Sequence, residues 1–369
     1  MMFPTAGHGR KRRTQTVRIA DALHPRGTTV AVKADEVSRH VVRLVVVDRA
    51  RDQVRVVPFG ELATLLRAGD LVVVNDAATL PASLFGTTAR GERFELRLSA
   101  PVAGSRLYGV LLGDGDYRTR TEDRPPPPRI VAGERVRIGT IDAVVEELVG
   151  RRVTLVAALA DDQLWQALYA AGAPVQYAHR AEPLPLYAVQ TAYAARPWSV
   201  EMPSAGRALT WDVLLGLRRA GVEIATLTHA AGLSSTGDDA LDRALPWHER
   251  YELPSATLAA IRATRERAGR VIAIGTTVVR ALESAALEAE SRDAPLDLAA
   301  GSGIATLRLG PSYRPRVIDG LVSGLHVPGE SHFELLSAFA PRALLVRAIA
   351  LAAQHGMSGH ELGDACLVL

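Results

Sequence analysis

Apolar and polar positions along the chain fall into three textures. The first is a set of short, unbroken apolar runs: VVRLVVV (41–47), QVRVVPF (53–59) and LVVVNDA (71–77). Runs rich in β-branched residues suit strands covered on both faces. The first two predict a hairpin around DRARD, and FGELATLLRAGD predicts a short helix or turn that stops at Gly69. From about Ser83 to Leu159 the texture becomes alternation. ARGERFELRLSA, SRLYGVLLG, ERVRIGTIDAVVEEL and RRVTLVAAL switch between apolar and polar residues with glycine-bearing turns between them. That predicts an all-β unit, a small barrel or sandwich. RPPPPR (124–129) inside it reads as a stiff polyproline loop, a spacer more readily than a recognition motif.

Beyond Asp161 the helical period takes over. DDQLWQALYAAG is amphipathic, and RALTWDVLLGLRRAG (207–221) carries Thr210 where a cap belongs. VEIATLTHAAG predicts a strand, and PSATLAAIRATRERAG (254–269) a helix with Pro254 and Ser255 at its start. ELLSAFAPRALLVRAIALAAQHG (334–356) is helical but interrupted at Pro341. The patterns predict an α/β fold: a main domain built from residues 18–82 and 160–369, with a small β-barrel domain inserted at 83–159. A disordered basic arm, residues 1–17, precedes it.

Two strand ends carry polar side chains. LVVVNDA stops at Asn75 and Asp76, either a plain Asx turn or a ligand-facing sheet edge. RVIAIGTTVVRALES (270–284) passes from a buried strand into a helix through Gly275. Glycine permits a sharp turn or close approach, and Thr276 or Thr277 can cap the helix. The helix start favours an anion or polar ligand, and Arg280 lies one turn in. A capped turn with a surface arginine is the plainer reading. The spacing matches neither G-x-x-x-x-G-K-[ST] nor G-x-G-x-x-G.

Composition narrows the classes. The chain has 369 residues, 48% of them hydrophobic and 22% charged, which is ordinary for a globular protein with a large core. The formal net charge is +3, with Arg10, Lys11, Arg12, Arg13 and Arg18 crowded near the start. Such an arm is either a solvated terminus or a set of phosphate contacts. The single cysteine, Cys366, excludes an internal disulfide, and its apolar tail points to a buried thiol. No apolar run approaches the roughly 18 residues of a membrane span, and no signal sequence is visible, so a cytoplasmic protein is expected. The ten histidines form no H-E-x-x-H or histidine–cysteine pattern, so no metal is expected. No G-x-S-x-G elbow occurs.

The remaining polar clusters are VQTAY (189–193), EMPSAG (201–206), WHERYELP (247–254), GTTVVR (275–280) and GLHVPGES (324–331). With NDAATLPASLFG, VEIA, VIDGL, LLSAFA and GDACLVL, they occur in an order that resembles the S-adenosylmethionine:tRNA ribosyltransferase-isomerases of queuosine synthesis. The resemblance runs from about Val41 to Leu369, and GTTVVRALES is its most specific piece. It implies an α/β domain with an inserted β-barrel. It also implies transfer and isomerisation of the ribosyl group of S-adenosylmethionine onto 7-aminomethyl-7-deazaguanine in tRNA, releasing adenine and methionine. The sulfonium acidifies the neighbouring carbon, so a positioned base and hydrogen bonds suffice without metal. Asp76 or Glu249 is the implied base, with His326 a further catalytic candidate. Asn75, Gln190, Tyr193, Gly275, Thr276, Thr277 and Arg280 are the implied contacts to S-adenosylmethionine. A monomer that binds S-adenosylmethionine and tRNA is expected, with no membrane.

Departures from the family pattern cluster at polar positions. Ala78 and Ser83 stand where the family has arginines, and Ala208, Ala230 and Trp247 where it has histidines. His229 and His248 lie beside the last two. GLHVPGES keeps His326 but loses a lysine. Scaffold residues persist while polar ones change, so two alternatives stay open: an S-adenosylmethionine-using enzyme with a small-molecule acceptor, and a non-catalytic binding protein on the same fold.

Overall fold

Four consecutive residues, Leu71 to Val74, are buried on both faces at the centre of a nine-stranded sheet. The computed structural model describes residues 42–159, 161–177, 182–291, 298–359 and 362–369. The basic arm at 1–17 lies outside the described residues. The chain opens with β1 (Arg43–Asp48), β2 (Gln53–Pro58), the short helix α1 (Leu62–Leu65), β3 (Leu71–Asn75) and β4 (Ala77–Thr79). The apolar run at 71–77 is thus two strands, broken at Asp76. Asp76 donates its amide to Leu227 and accepts from Ala195 through its carbonyl.

Six antiparallel strands follow and close into a barrel: β5 (Ser83–Thr88), β6 (Arg93–Leu98), β7 (Arg106–Leu112), β8 (Arg135–Ile138), β9 (Ile141–Val149) and β10 (Arg152–Ala157). Closure removes the exposed edges that alternating strands would otherwise present. Leu84, Phe94, Leu96, Leu107 and Ile141 belong to its apolar core. The chain then returns through α2 (Asp161–Ala171), β11 (Arg196–Ser199), α3 (Trp211–Arg219), β12 (Glu223–His229), α4 (Asp239–Ala244), β13 (Glu249–Leu253), α5 (Ser255–Glu266), β14 (Val271–Ile274), α6 (Thr276–Glu290), β15 (Gly301–Ala305), β16 (Gly320–Gly324), α7 (Ser331–Leu336), α8 (Arg342–Gln354) and β17 (Ala365–Val368). The sheet order is β15-β13-β12-β3-β14-β16-β17-β1-β2, and β12, β3, β14 and β16 run parallel. Thr210 caps α3 by accepting from the Val213 amide, and Pro341 stands at the start of α8, dividing it from α7. Cys366 is buried in β17, and burial pushes its thiol up to about 12.

Alternation along the central strands sorts side chains to two helical layers. Leu71, Val73 and Leu227 pack with α5, α6 and α8, whereas Val72, Val74 and Ile274 pack with α1 and α3. The barrel is tied to this body by a buried polar cluster on the outer side of β6. Glu95 accepts from Ser83 Oγ at 2.6 Å and Arg97 Nε at 2.9 Å, and meets Arg124 at 2.5 Å. Arg97 lies over the Tyr177 ring at 5.2 Å. Tyr177 in turn donates its hydroxyl to Glu201, whose carboxyl is pushed up by burial.

Candidate active site at the carboxyl edge of the sheet

The same alternation separates the two polar residues at the end of β3. Asn75 faces the α6 layer. Its Oδ1 accepts from the His229 amide at 2.9 Å and from the Ala77 amide at 3.1 Å. Its Nδ2 donates to the His229 carbonyl at 3.0 Å and reaches Thr277 Oγ1 at 3.4 Å. Asp76 faces the other way. Its Oδ1 accepts from Thr228 Oγ1 at 2.6 Å, and no hydrogen bond to Oδ2 is present among the described residues. Thr228 and His229 are consecutive, so Asp76 and the His229 ring mark opposite faces of the sheet end.

On the α6 face, Glu249 gathers a cluster. Its Oε1 accepts from the Gly232 amide at 2.6 Å, and its Oε2 contacts Arg280 Nη1. The His229 Nε2 lies 3.5 Å from the same oxygen. Arg280 is buried, with Nε donating to Leu307 O at 3.2 Å and Nη2 to Trp247 O at 2.9 Å and Ala305 O at 3.0 Å. The guanidinium is therefore directed at β13, β15 and their loops. In this structure the Arg280 guanidinium is engaged by Glu249 and by three backbone carbonyls. Neither nitrogen of the fully buried His229 ring has a hydrogen-bond partner among the described residues. Desolvation, reinforced by the charge of Arg280, pushes its pKa down to about 3, so the imidazole is neutral.

Gly275 links β14 to α6 at φ 93°, a conformation that favours glycine. The expected threonine cap is corrected: Gly275 itself is the N-cap, and no side chain caps α6. Thr276 and Thr277 are half-buried in the first turn instead. Their chain direction leaves the first-turn amides facing the sheet edge, where helix geometry favours negative or acceptor groups.

Gln190 and Tyr193 belong to the Asp76 side. The Gln190 amide pairs with Thr79, accepting from N at 2.9 Å and donating to O at 2.9 Å. The Tyr193 hydroxyl closes on Gly206, where a Cβ would collide with it. His326 lies over Gly324 beyond β16, with Nδ1 3.2 Å from Glu330 Oε2. It stacks on His332 with ring centroids 4.6 Å apart. Desolvation first and the neighbouring His326 second push His332 down to about 3.

The structure brings Asn75, Thr277, Arg280 and Glu249 together on one face, and Asp76 with Gln190 and Tyr193 toward the other. His229, noted in the sequence only as the neighbour of Ala230, lies against Glu249, whereas His332 drew no attention there. A second histidine six positions after His326, with Glu330 between them, was the available signal for His332. Arg207 was also missed; it lines a small cavity with Ser204, Ala205 and Gly324, beside Gly275, and donates to Leu362 O at 3.3 Å. Among the described residues, no three histidine, cysteine or acidic side chains cluster as a metal site, and no helix is long and apolar enough to cross a membrane.

The profile of a family described as queuosine biosynthesis protein matches residues 28–368. A protein named S-adenosylmethionine:tRNA ribosyltransferase-isomerase from Trichlorobacter lovleyi is 33% identical over 335 residues, 89% of this chain and 92% of that one. A protein of the same name from Geobacter metallireducens is 34% identical over 352 residues, 89% of this chain and 93% of that one. The crystal structure of S-adenosylmethionine tRNA ribosyltransferase from Thermotoga maritima aligns with a TM-score of 0.47 at 22% identity, covering 92% of this chain and 95% of that chain.

Proposed function

The chain belongs to the queuosine biosynthesis protein family, and from that premise we propose that it is an S-adenosylmethionine:tRNA ribosyltransferase-isomerase. The substrates are S-adenosylmethionine and a tRNA carrying 7-aminomethyl-7-deazaguanine. The observation that carries the reading is the match to relatives of that name along nine-tenths of their length. The site is read as lying in the main domain, 18–82 and 160–369, with the barrel at 83–159 as an insertion.

The chemistry assigned to the edge is a proton transfer followed by sugar transfer. A base removes a proton from the carbon next to the sulfonium, whose positive charge stabilises the carbanion that forms. That carbanion drives rearrangement of the ribose as the aminomethyl nitrogen of the acceptor base bonds to the sugar. Adenine and methionine leave. Asp76 is assigned as the base, because Thr228 fixes one carboxylate oxygen while the other carries no hydrogen bond among the described residues. Glu249 and Arg280 are assigned as a fixed charge pair that holds the α6 face in shape, and His229 as a neutral hydrogen-bonding group beside it. The α6 first turn, with Thr276, Thr277 and Asn75, is assigned to the carboxylate or a ribose hydroxyl of S-adenosylmethionine. Gln190 and Tyr193 are assigned to shaping the Asp76 side, and His326 to an outer position.

The test is adenine release. Purified protein with S-adenosylmethionine and tRNA bearing the modified base should release adenine, and the rate should fall steeply with salt as counterions compete for phosphate contacts. Adenine release that needs no tRNA would point instead to a small-molecule acceptor. Absence of both release and S-adenosylmethionine binding would leave a non-catalytic protein.

A further inference from the structure

The face that carries Asp76 also carries a stack of side chains with no part in the chemistry above. Arg196 and Trp198 both belong to β11, whose register against β4 shifts at Trp198. Arg250 comes from β13. The guanidinium carbon of Arg250 lies 4.3 Å from the centroid of the Trp198 ring, and that of Arg196 lies 5.7 Å away. The two arginines are not equivalent. Arg196 is paired with Glu252 at 2.6 Å. Exposed Arg250 has no ion pair among the described residues; it makes a single long contact, 3.5 Å to Ser302 Oγ. Its guanidinium is braced on the indole and exposed to solvent, with no other hydrogen bond to the described residues.

This stack is continuous with the site. β11 runs parallel to β4 with Arg196 opposite Ala77, and the amides of Ala195 and Arg196 both donate to the Asp76 carbonyl. Ala78, which stands where the family pattern has arginine, faces Pro197 in register. Arg196 and Trp198 stand on either side of Pro197 along β11.

We propose that the Arg250–Trp198–Arg196 stack is the docking surface for unpaired RNA nucleotides next to the target base. The inference rests on the reading of the chain as acting on tRNA. A base whose substituent must reach Asp76 has to leave its stack, and its neighbours lose stacking with it. A guanidinium held flat on an indole offers them a replacement plane, at little ordering cost because it is already fixed. The free donors of Arg250 form the planar fork that suits a phosphate.

The experiment measures binding apart from turnover. A fluorescent anticodon stem-loop is titrated into wild type, Arg250→Gln and Trp198→Ala, with anisotropy as the readout and urea midpoints as the control for folding. Each variant should bind about ten-fold more weakly, as loss of one stacked base implies. Arg250→Gln should also lower the slope of log affinity against log salt by about one. The KM for S-adenosylmethionine should not change. Affinities within two-fold of wild type, or no binding by wild type, would overturn the inference. If Trp198→Ala lowers the urea midpoint, the exposed Arg250→Gln decides. Wild type that binds the stem-loop through this stack but releases no adenine would sink the enzymatic reading and leave the docking surface standing.

Discussion

Arg280, one turn into α6, sets its guanidinium against the carboxylate of Glu249 at the start of β13, and both side chains are nearly closed to solvent. Removing one member of a buried ion pair leaves the other uncompensated, at about 3–5 kcal/mol. Arg280→Ala should therefore lose stability of that order in urea unfolding, together with most activity. The double variant Arg280→Ala, Glu249→Gln should recover part of the stability but not the activity. Equal midpoints for the single and double variants would show that the two side chains are not coupled.

Asp76→Asn keeps the shape of the side chain and removes the base. With one oxygen fixed by Thr228, the variant should fold normally. Loss of a positioned base lowers kcat by about 10²- to 10⁴-fold, while the dissociation constant for S-adenosylmethionine measured by calorimetry should move little. A variant with near-normal kcat would remove Asp76 from that role and return it to Glu249.

His229 gives the fold an acid sensitivity with a definite sign. Its pKa is about 3 in the folded protein and about 6.5 in an unfolded chain. Between those values the unfolded state binds more protons, so stability falls as pH drops from about 6.5 toward 3. His332, also pushed down to about 3, adds in the same direction. Urea midpoints at pH 7 and pH 5 should show a loss for wild type and a smaller loss for His229→Gln. An identical loss in both would mean that His229 is not desolvated.

Gly275→Ala tests the backbone rather than space. The nearest atom to an added Cβ would be Thr277 Oγ1 at 3.5 Å, so there is room, but φ is +93°. Holding a non-glycine residue in such a region costs about 1–3 kcal/mol. The variant should unfold earlier by that amount and bind S-adenosylmethionine more weakly, because the α6 first turn shifts. Unchanged stability would show that the turn has another accessible conformation.

Ser83→Ala tests the buried polar cluster on the outer side of β6. Its hydroxyl donates to the buried Glu95 at 2.6 Å, and a hydrogen bond to a charged group is worth about 1.5–3 kcal/mol. The midpoint should drop accordingly, with S-adenosylmethionine affinity retained. A drop within experimental error would indicate that Arg97 and Arg124 alone hold that carboxylate.

Much of the scaffold was written in local pattern. Leu44 to Val47, Leu71 to Val74 and Val271 to Ile274 are apolar on both faces, and only a covered sheet accommodates such runs. The alternation from Ser83 to Ala157 specified strands, and Thr210 and Pro341 marked helix starts through one hydroxyl and one missing amide. WHERYELP was read only as a polar cluster, yet Glu249–Leu253 is β13, because its alternate side chains are divided between Arg280 and the outer face. Local pattern also could not say which way a side chain turns. Asn75 and Asp76 are adjacent in sequence, but the two-residue period of a strand sends them to different layers. Arg280 looked like a free surface donor, and the one carboxylate near it in sequence, Glu283, is taken up by Tyr313 and the amides of Arg316, Val317 and Ile318. Its own partners, Trp247, Glu249, Ala305 and Leu307, are 25 to 33 residues away. The sequence by itself determined the elements and the residue types at the sheet edge. Which of those residues meet was decided by strand order and face, since contacts between distant segments depend on the whole sheet closing around them.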